Sequence, residues 1–349
     1  MKKLFIPLLG ILLTGCVTTN TASTGEQAQD YLELWMQKWN KDNGKDVKPT
    51  ELGMYILNDV PGPATADLWS ADNSYCYAEV TIRTLTGTIS STDSEALAKQ
   101  LGTYSVANYY GPKVFMVGEG ISYAGVDEAL KGMRLGGERT VVVPSWLLTT
   151  SRYSSLEKYL AACTSSSHLI YTIALREQFT DVTEWEKSQI QAYVNANFPG
   201  ATATVMPGSE EGAEADGTFW FISDVSGFNE DDKRSDTEMD LSLNYTGKRL
   251  DGTVFDTSVQ KTAIDNDIYN SSRTYEPMAL VYSSTWSDIK IDNSTSYVDG
   301  FKAGVSLMWW KGQKATVIFT SGHGYGTSSQ TSIPAYCPLV FELELVQKQ

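Results

Sequence analysis

The chain has 349 residues, 42% hydrophobic and 20% charged, which suits about two globular domains and excludes a wholly disordered or collagen-like chain. Lys and Arg number 27 against 42 Asp and Glu, a net charge of −15 without a basic stripe, so nucleic acid is not an expected partner. Two His and four Cys are few for a catalytic zinc site, and neither a metal nor another cofactor is expected.

Met1-Lys2-Lys3 opens the chain and residues 4–13 are almost unbroken apolar sequence. Spanning a bilayer takes about 20 residues, so this stretch reads as a secretory signal. It ends in Leu13-Thr-Gly-Cys16, which resembles the lipobox of bacterial lipoproteins. The resemblance implies that residues 1–15 are a signal peptide cleaved before Cys16, whose lipidation would tether the protein to a membrane. An Asp after the Cys commonly signals inner-membrane retention; Val17 stands there, implying the outer membrane of a bacterial cell envelope. Residues 16–45 then form a lipidated tether and helix. The tether is rich in Thr, Ser, Ala and Gln, and residues 26–40 place Tyr31, Leu34, Trp35 and Trp39 at helical spacing. Beyond the signal, one disulfide among Cys76, Cys163 and Cys337 is open, and its pairing is not chosen.

The rest of the chain repeats itself. Gly53-Met-Tyr-Ile-Leu-Asn-Asp-Val-Pro-Gly62 is echoed by Gly217-Thr-Phe-Trp-Phe-Ile-Ser-Asp-Val-Ser-Gly227. Gly125-Val-Asp-Glu-Ala-Leu-Lys-Gly-Met133 is echoed by Gly300-Phe-Lys-Ala-Gly-Val-Ser-Leu-Met308, each followed by a strand-like run at 140–143 or 316–319. The halves close on Leu169-Ile-Tyr-Thr-Ile-Ala-Leu175 and Leu339-Val-Phe-Glu-Leu-Glu-Leu345. Between them, residues 180–216 read as a helix over 183–197, stopped by Pro199-Gly200, and a polar linker. The domains are therefore 46–179 and 217–349.

In the second half, Leu243-Asn-Tyr-Thr-Gly247, Asp251-Gly-Thr-Val-Phe-Asp-Thr-Ser258, Tyr297-Val-Asp-Gly-Phe301, Gly324-Tyr-Gly326 and Ile333-Pro334 follow one another in order. Together with the closing strand they resemble the FKBP-type peptidyl-prolyl cis-trans isomerases. The resemblance implies an α+β fold: two FKBP-like domains, each a bent antiparallel sheet wrapped over one short helix, here about 300–309, with helical linkers. It implies Phe301 as the floor of a substrate pocket, where many relatives carry Trp, and Tyr245, Phe255 and Phe341 as walls. Val298 and Ile333 lie beside them. Asp256 is expected as a buried carboxylate facing the twisting amide, and Tyr325 as a hydroxyl donor to a substrate carbonyl. Asp256, Tyr325 and Phe255 are thus the catalytic candidates. Between Ser258 and Tyr297 lie many more residues than a minimal member uses, an elaborated flap that tunes substrates or blocks the groove.

These residue types suit amide rotation. Twisting a peptide bond costs about 18–20 kcal/mol because resonance is lost, while the two X–Pro isomers differ by only about 0.5–1 kcal/mol. No nucleophile is required. A dry aromatic pocket favours the less polar twisted amide, and a few fixed polar groups hold it.

The first half has strand alternation at Val80-Thr-Ile-Arg-Thr-Leu-Thr-Gly87 but no Tyr-Thr-Gly, Ser90-Ser-Thr-Asp93 roughly where Asp256 should be, and Val126 in the place of Phe301. It reads as a degenerate, catalytically silent domain. The expected function is a lipid-anchored envelope prolyl isomerase, active in the C-terminal domain and acting on X–Pro-containing polypeptides during folding of exported proteins. The alternatives are a non-catalytic peptide-binding or chaperone lipoprotein and a structural lipoprotein; oligomeric state is left open.

Overall fold

A computed structural model of the chain describes residues 22–72, 74–234 and 241–347; the signal peptide and Cys16 lie outside the described residues. The first helix, α1 (Thr24–Asn43), is closed at both ends by local chemistry. Ser23 and Glu26 exchange side-chain-to-backbone hydrogen bonds in a capping box, and Gly44 ends the helix at φ +61°. Ala28, Leu32 and Met36 recur every fourth residue and are buried in the core of the first domain.

That domain comprises β1 (Tyr55–Val60), β2 (Tyr75–Thr84), β3 (Ile89–Thr92), α2 (Glu95–Leu101), β4 (Lys113–Met116), α3 (Ala124–Leu130), β5 (Glu138–Val143), α4 (Leu156–Ala162) and β6 (Leu169–Phe179). The connecting helix is α5 (Val182–Asn197). The second domain follows with β7 (Phe219–Ile222), β8 (Leu241–Arg249), β9 (Val254–Thr257), α6 (Gln260–Asp265), β10 (Met278–Val281), β11 (Lys290–Ile291), α7 (Asp299–Ser306), β12 (Lys314–Phe319) and β13 (Leu339–Gln347).

Both sheets are antiparallel and share one topology. The first runs β1-β5-β6-β2-β3 with β4 also on β2; the second runs β7-β12-β13-β8-β9 with β10 also on β8 and β11 beyond it. The fold is α+β, and the repeat extends to residue register. Thr81 pairs with Thr92 and Thr246 with Thr257, each hydroxyl pair bonded, at 2.8 and 3.0 Å. Glycine sets the approach of helix to sheet in both halves. A Cβ on Gly125 would stand 2.2 Å from Val143, and one on Gly300 2.4 Å from the Phe319 ring.

The helix expected over 300–309 is α7, shorter at its C-terminal end, because Leu307 and Met308 donate to carbonyls three residues back and wind the chain out of the α-helix. Arg234 donates through Nε to the Met308 carbonyl. Apolar residues of α5, Ile190 and Val194, pack with Trp220, Ile318 and Val340 of the second sheet. The acidic stretch 230–240 begins as a 3-10 turn, Glu230–Asp232, capped by Asn229, and 235–240 lie outside the described residues. Cys76, Cys163 and Cys337 are all free thiols. Burial pushes the Cys76 pKa up to about 11 and the Cys337 pKa up to about 12. Among the described residues no helix is long and apolar enough to cross a membrane.

Candidate active site

The aromatic residues read from the sequence converge between α7 and the sheet. Phe301, the third residue of α7, has its ring 4.8 Å from Phe341 and 5.7 Å from Tyr245, and Tyr297 adds a third neighbour at 5.6 Å. Phe255 meets Phe341 edge-on at 5.7 Å. Gly247 makes that meeting possible: a Cβ there would lie 2.6 Å from the Phe255 ring and 3.0 Å from Phe341. Val298 occupies the position just before α7, and Ile333 is buried in the same cluster. Phe301, Ile333 and Phe341 are at most 6% exposed, so the floor of the candidate site is also part of the domain core.

Asp256 departs from expectation. It is not a buried carboxylate, for 39% of its side chain is exposed. It lies at the sheet edge, where β9 is only Val254–Thr257, and the flap supplies its partner. Arg273 pairs with Asp256 through Nη1 and donates through Nη2 to the Tyr245 hydroxyl at 2.9 Å, while that hydroxyl donates to Asp256 Oδ2 at 2.6 Å. Tyr245 is therefore a polar partner of the carboxylate as well as a wall. Burial, then the Asp256 charge, raises the Tyr245 pKa well above its ordinary value. Burial lowers the Arg273 pKa, but its bonds to Asp256 and Tyr245 outweigh that and raise it. No motif in the sequence marks Arg273. Its one signal is position, as the only basic residue between Lys261 and Lys290. The flap is not an open lid, because β10 pairs with β8 through Met278 and Ala279.

Tyr325 stands apart from the aromatic cluster and is 37% exposed. Burial of its other face, then the Asp256 charge, raises its pKa, so the hydroxyl keeps its proton at neutral pH. No hydrogen bond engages it among the described residues, which leaves it available as a donor. The candidate site thus gathers an apolar aromatic floor, one carboxylate and one hydroxyl. Among the described residues no cluster of His, Cys, Asp or Glu is built to hold a metal ion.

The register assigns the counterparts in the first domain. Val80 takes the place of Tyr245, and Ser91 that of Asp256. Asp93 is not the lost carboxylate. It matches Ser258, since Asp93 accepts from the Val80 N–H as Ser258 Oγ accepts from the Tyr245 N–H, at 2.9 and 3.0 Å. Val126 stands for Phe301 and Tyr171 for Phe341. A cleft of about 420 Å³ survives there, lined by Val80, Ile121, Tyr123, Val126 and Tyr171, without a carboxylate among its lining residues.

Residues 232–346 match the family model of the FKBP-type peptidyl-prolyl cis-trans isomerases, and the C-terminal domain belongs to that family. Among the solved structures that match are three of low identity. The three FKBP domains of wheat FKBP73 are 15% identical over 87% of this chain and 98% of theirs, with a TM-score of 0.26. A peptidyl-prolyl cis-trans isomerase of Pseudomonas syringae pv. tomato is 18% identical over 47% of this chain and 91% of its own, at 0.29. FkpA from Escherichia coli is 16% identical over 45% of this chain and 63% of its own, also at 0.29. No curated protein is similar enough in sequence to match.

Proposed function

We propose that the C-terminal domain isomerises X–Pro bonds of exported polypeptides in a bacterial cell envelope, where lipid on Cys16 holds the protein to a membrane, and that the first domain is catalytically silent. The observation that carries the catalytic reading is the Asp256 carboxylate, with Tyr245 and Arg273 bonded to it, at the rim of the Phe301 floor. An X–Pro ring seated on Phe301, Phe341 and Phe255 would lose water, which favours the twisted amide over the more polar planar one. Tyr325 would hold a substrate carbonyl, and Asp256 would face the rotating bond. The first domain has Val80, Ser91 and Val126 at the matching positions and so lacks these groups.

The full chain is expected to accelerate isomerisation of a short X–Pro peptide, and Tyr325→Phe to slow it several-fold. One hydrogen bond is worth roughly 0.5–1.5 kcal/mol net, and about 1.36 kcal/mol is tenfold in rate. An unchanged rate in that variant would remove Tyr325 from the mechanism. The non-catalytic alternative is favoured by one feature, the Arg273 guanidinium lying on the carboxylate. Peptide binding without rate acceleration by the wild type would establish it. For the anchor, Cys16→Ser is expected to move the folded protein from the membrane pellet to the supernatant; continued pelleting would refute lipidation at Cys16.

A further inference from the structure

The stretch between β12 and β13 carries Tyr325 and Ile333 of the candidate site, and several of the contacts that hold it come from outside its own domain. At its start Ser321 donates to the Glu186 carboxylate twice, from N–H and from Oγ–H, at 2.6 Å each. Glu186 lies on α5 and is 1% exposed. The Ser321 carbonyl accepts from the N–H groups of Gly324 and Gly326, both at 2.8 Å, so the two residues flanking Tyr325 hang from this serine. Further on, the Thr331 carbonyl accepts from Tyr109 N–H of the first domain at 3.1 Å. The next carbonyl, of Ser332, accepts from Arg249 Nη1 at 2.7 Å, and that guanidinium lies 4.8 Å from the centre of the Tyr109 ring. Ile333 follows directly. Finally Tyr336, at φ +57°, meets Tyr75 of the first domain edge-on at 5.5 Å.

These contacts are costly unless they serve a purpose. A carboxylate taken out of water loses several kcal/mol of hydration in exchange for its partners, and among the described residues Glu186 accepts hydrogen bonds from Ser321 alone. A tyrosine in the left-handed region costs about 1–2 kcal/mol, and Tyr336 is held there by its contact with Tyr75 and by its N–H bond to the Gly326 carbonyl. Apart from the 3-10 turn Ser321–His323, the stretch has no regular structure of its own, so its order depends on such contacts.

We propose that the catalytically silent domain and its connecting helix are a positioning device for the isomerase cleft: Glu186 sets the turn that bears Tyr325, and Tyr109 and Tyr75 set the arm that bears Ile333. Glu186, Tyr109 and Tyr75 are thus positioning residues. The proposal rests on reading the C-terminal cleft as the isomerase site. A stretch ordered beforehand spares the bound peptide the entropy of ordering it.

The test uses full-length Tyr109→Ala, Tyr75→Leu and, as the conservative control, Tyr109→Phe, which keeps the ring under Arg249. Tyr109→Ala keeps the N–H bond to Thr331 but removes the ring that holds Arg249 against the Ser332 carbonyl. Amide hydrogen exchange at 326–336 is expected to quicken at least about tenfold in Tyr109→Ala and Tyr75→Leu. Exchange in β8 and β13 should stay as in wild type, which shows that the domain is folded. On an X–Pro peptide, KM should rise roughly fivefold with kcat within about twofold, the pattern of a lost binding contribution. Tyr109→Phe should restore both. Unchanged exchange at 326–336 in both disruptive variants would overturn the proposal. Absence of isomerase activity in the wild type would instead overturn the reading of the cleft, while the exchange result would still decide whether the first domain holds the stretch.

Discussion

Asp256→Ala is expected to lower turnover on an X–Pro peptide by about tenfold or more, in keeping with the cost of removing one fixed polar group from a reacting centre. Folding should hardly suffer. The Asp256 and Arg273 side chains are 39% and 40% exposed, and an ion pair so wetted is worth about 0–1 kcal/mol. The loss should therefore fall on kcat, with the thermal midpoint nearly unmoved. Arg273→Ala sharpens the interpretation. Arg273 binds both Asp256 and the Tyr245 hydroxyl, so it fixes the carboxylate against rotation. Its removal is expected to slow turnover by several-fold, and the double variant should be no slower than Asp256→Ala alone, because the three side chains act as one unit. Wild-type turnover in Asp256→Ala would take the carboxylate out of the mechanism. Faster turnover in Arg273→Ala would show the guanidinium to be a plug and not a brace.

The parts of this architecture that could be read from the sequence are those fixed by close approach. Gly125 and Gly300 repeat because a helix must lie against a strand with no room for a Cβ, and Gly247 sits beneath Phe255 and Phe341 for the same reason. Such constraints leave a mark at one position, so the repeat, the short helices and the aromatic floor were legible. The polar supports were not. Arg273 with Asp256, Glu186 with Ser321, and Tyr109 with Thr331 are pairs at least 17 residues apart in sequence, so no local pattern links one partner to the other. Asp256 is more exposed than its motif implies for a related reason. A motif names the residue, but its exposure depends on a short edge strand and on the flap beside it. Asp93 shows the converse hazard. It lies near the expected carboxylate in sequence, yet register gives it the backbone-bonding task of Ser258.

Mild acid is expected to destabilise the first domain through His168, which ties α1 to its body. His168 is 4% exposed. Its Nδ1 accepts from the Ser145 N–H at 3.0 Å, which leaves the proton on Nε2, facing the Ala28 carbonyl of α1 at 3.0 Å. A second proton would have to enter at Nδ1, against an N–H already pointing there. Burial accordingly lowers the His168 pKa from 6.5 to about 4, although its bond to Ala28 pulls the other way. Since the unfolded chain takes up this proton first, stability is complete above about 6.5, declines as the pH falls below that value, and is lost through about 4. The shift corresponds to about 3 kcal/mol at about 1.36 kcal/mol per unit, a large part of a domain's stability. Carboxylates titrate at the lower end of the same window, so the measurement is a difference between two proteins. Unfolding free energy is followed from pH 7 to pH 4 in the wild type and in His168→Gln, whose amide offers an acceptor and a donor but no titration. The wild type should lose about 3 kcal/mol more than the variant across that range, with exchange in α1 the first to quicken. Parallel pH profiles would mean that His168 is protonated in the folded domain without penalty, and that its bridge between Ser145 and the Ala28 carbonyl is not what holds α1 in place.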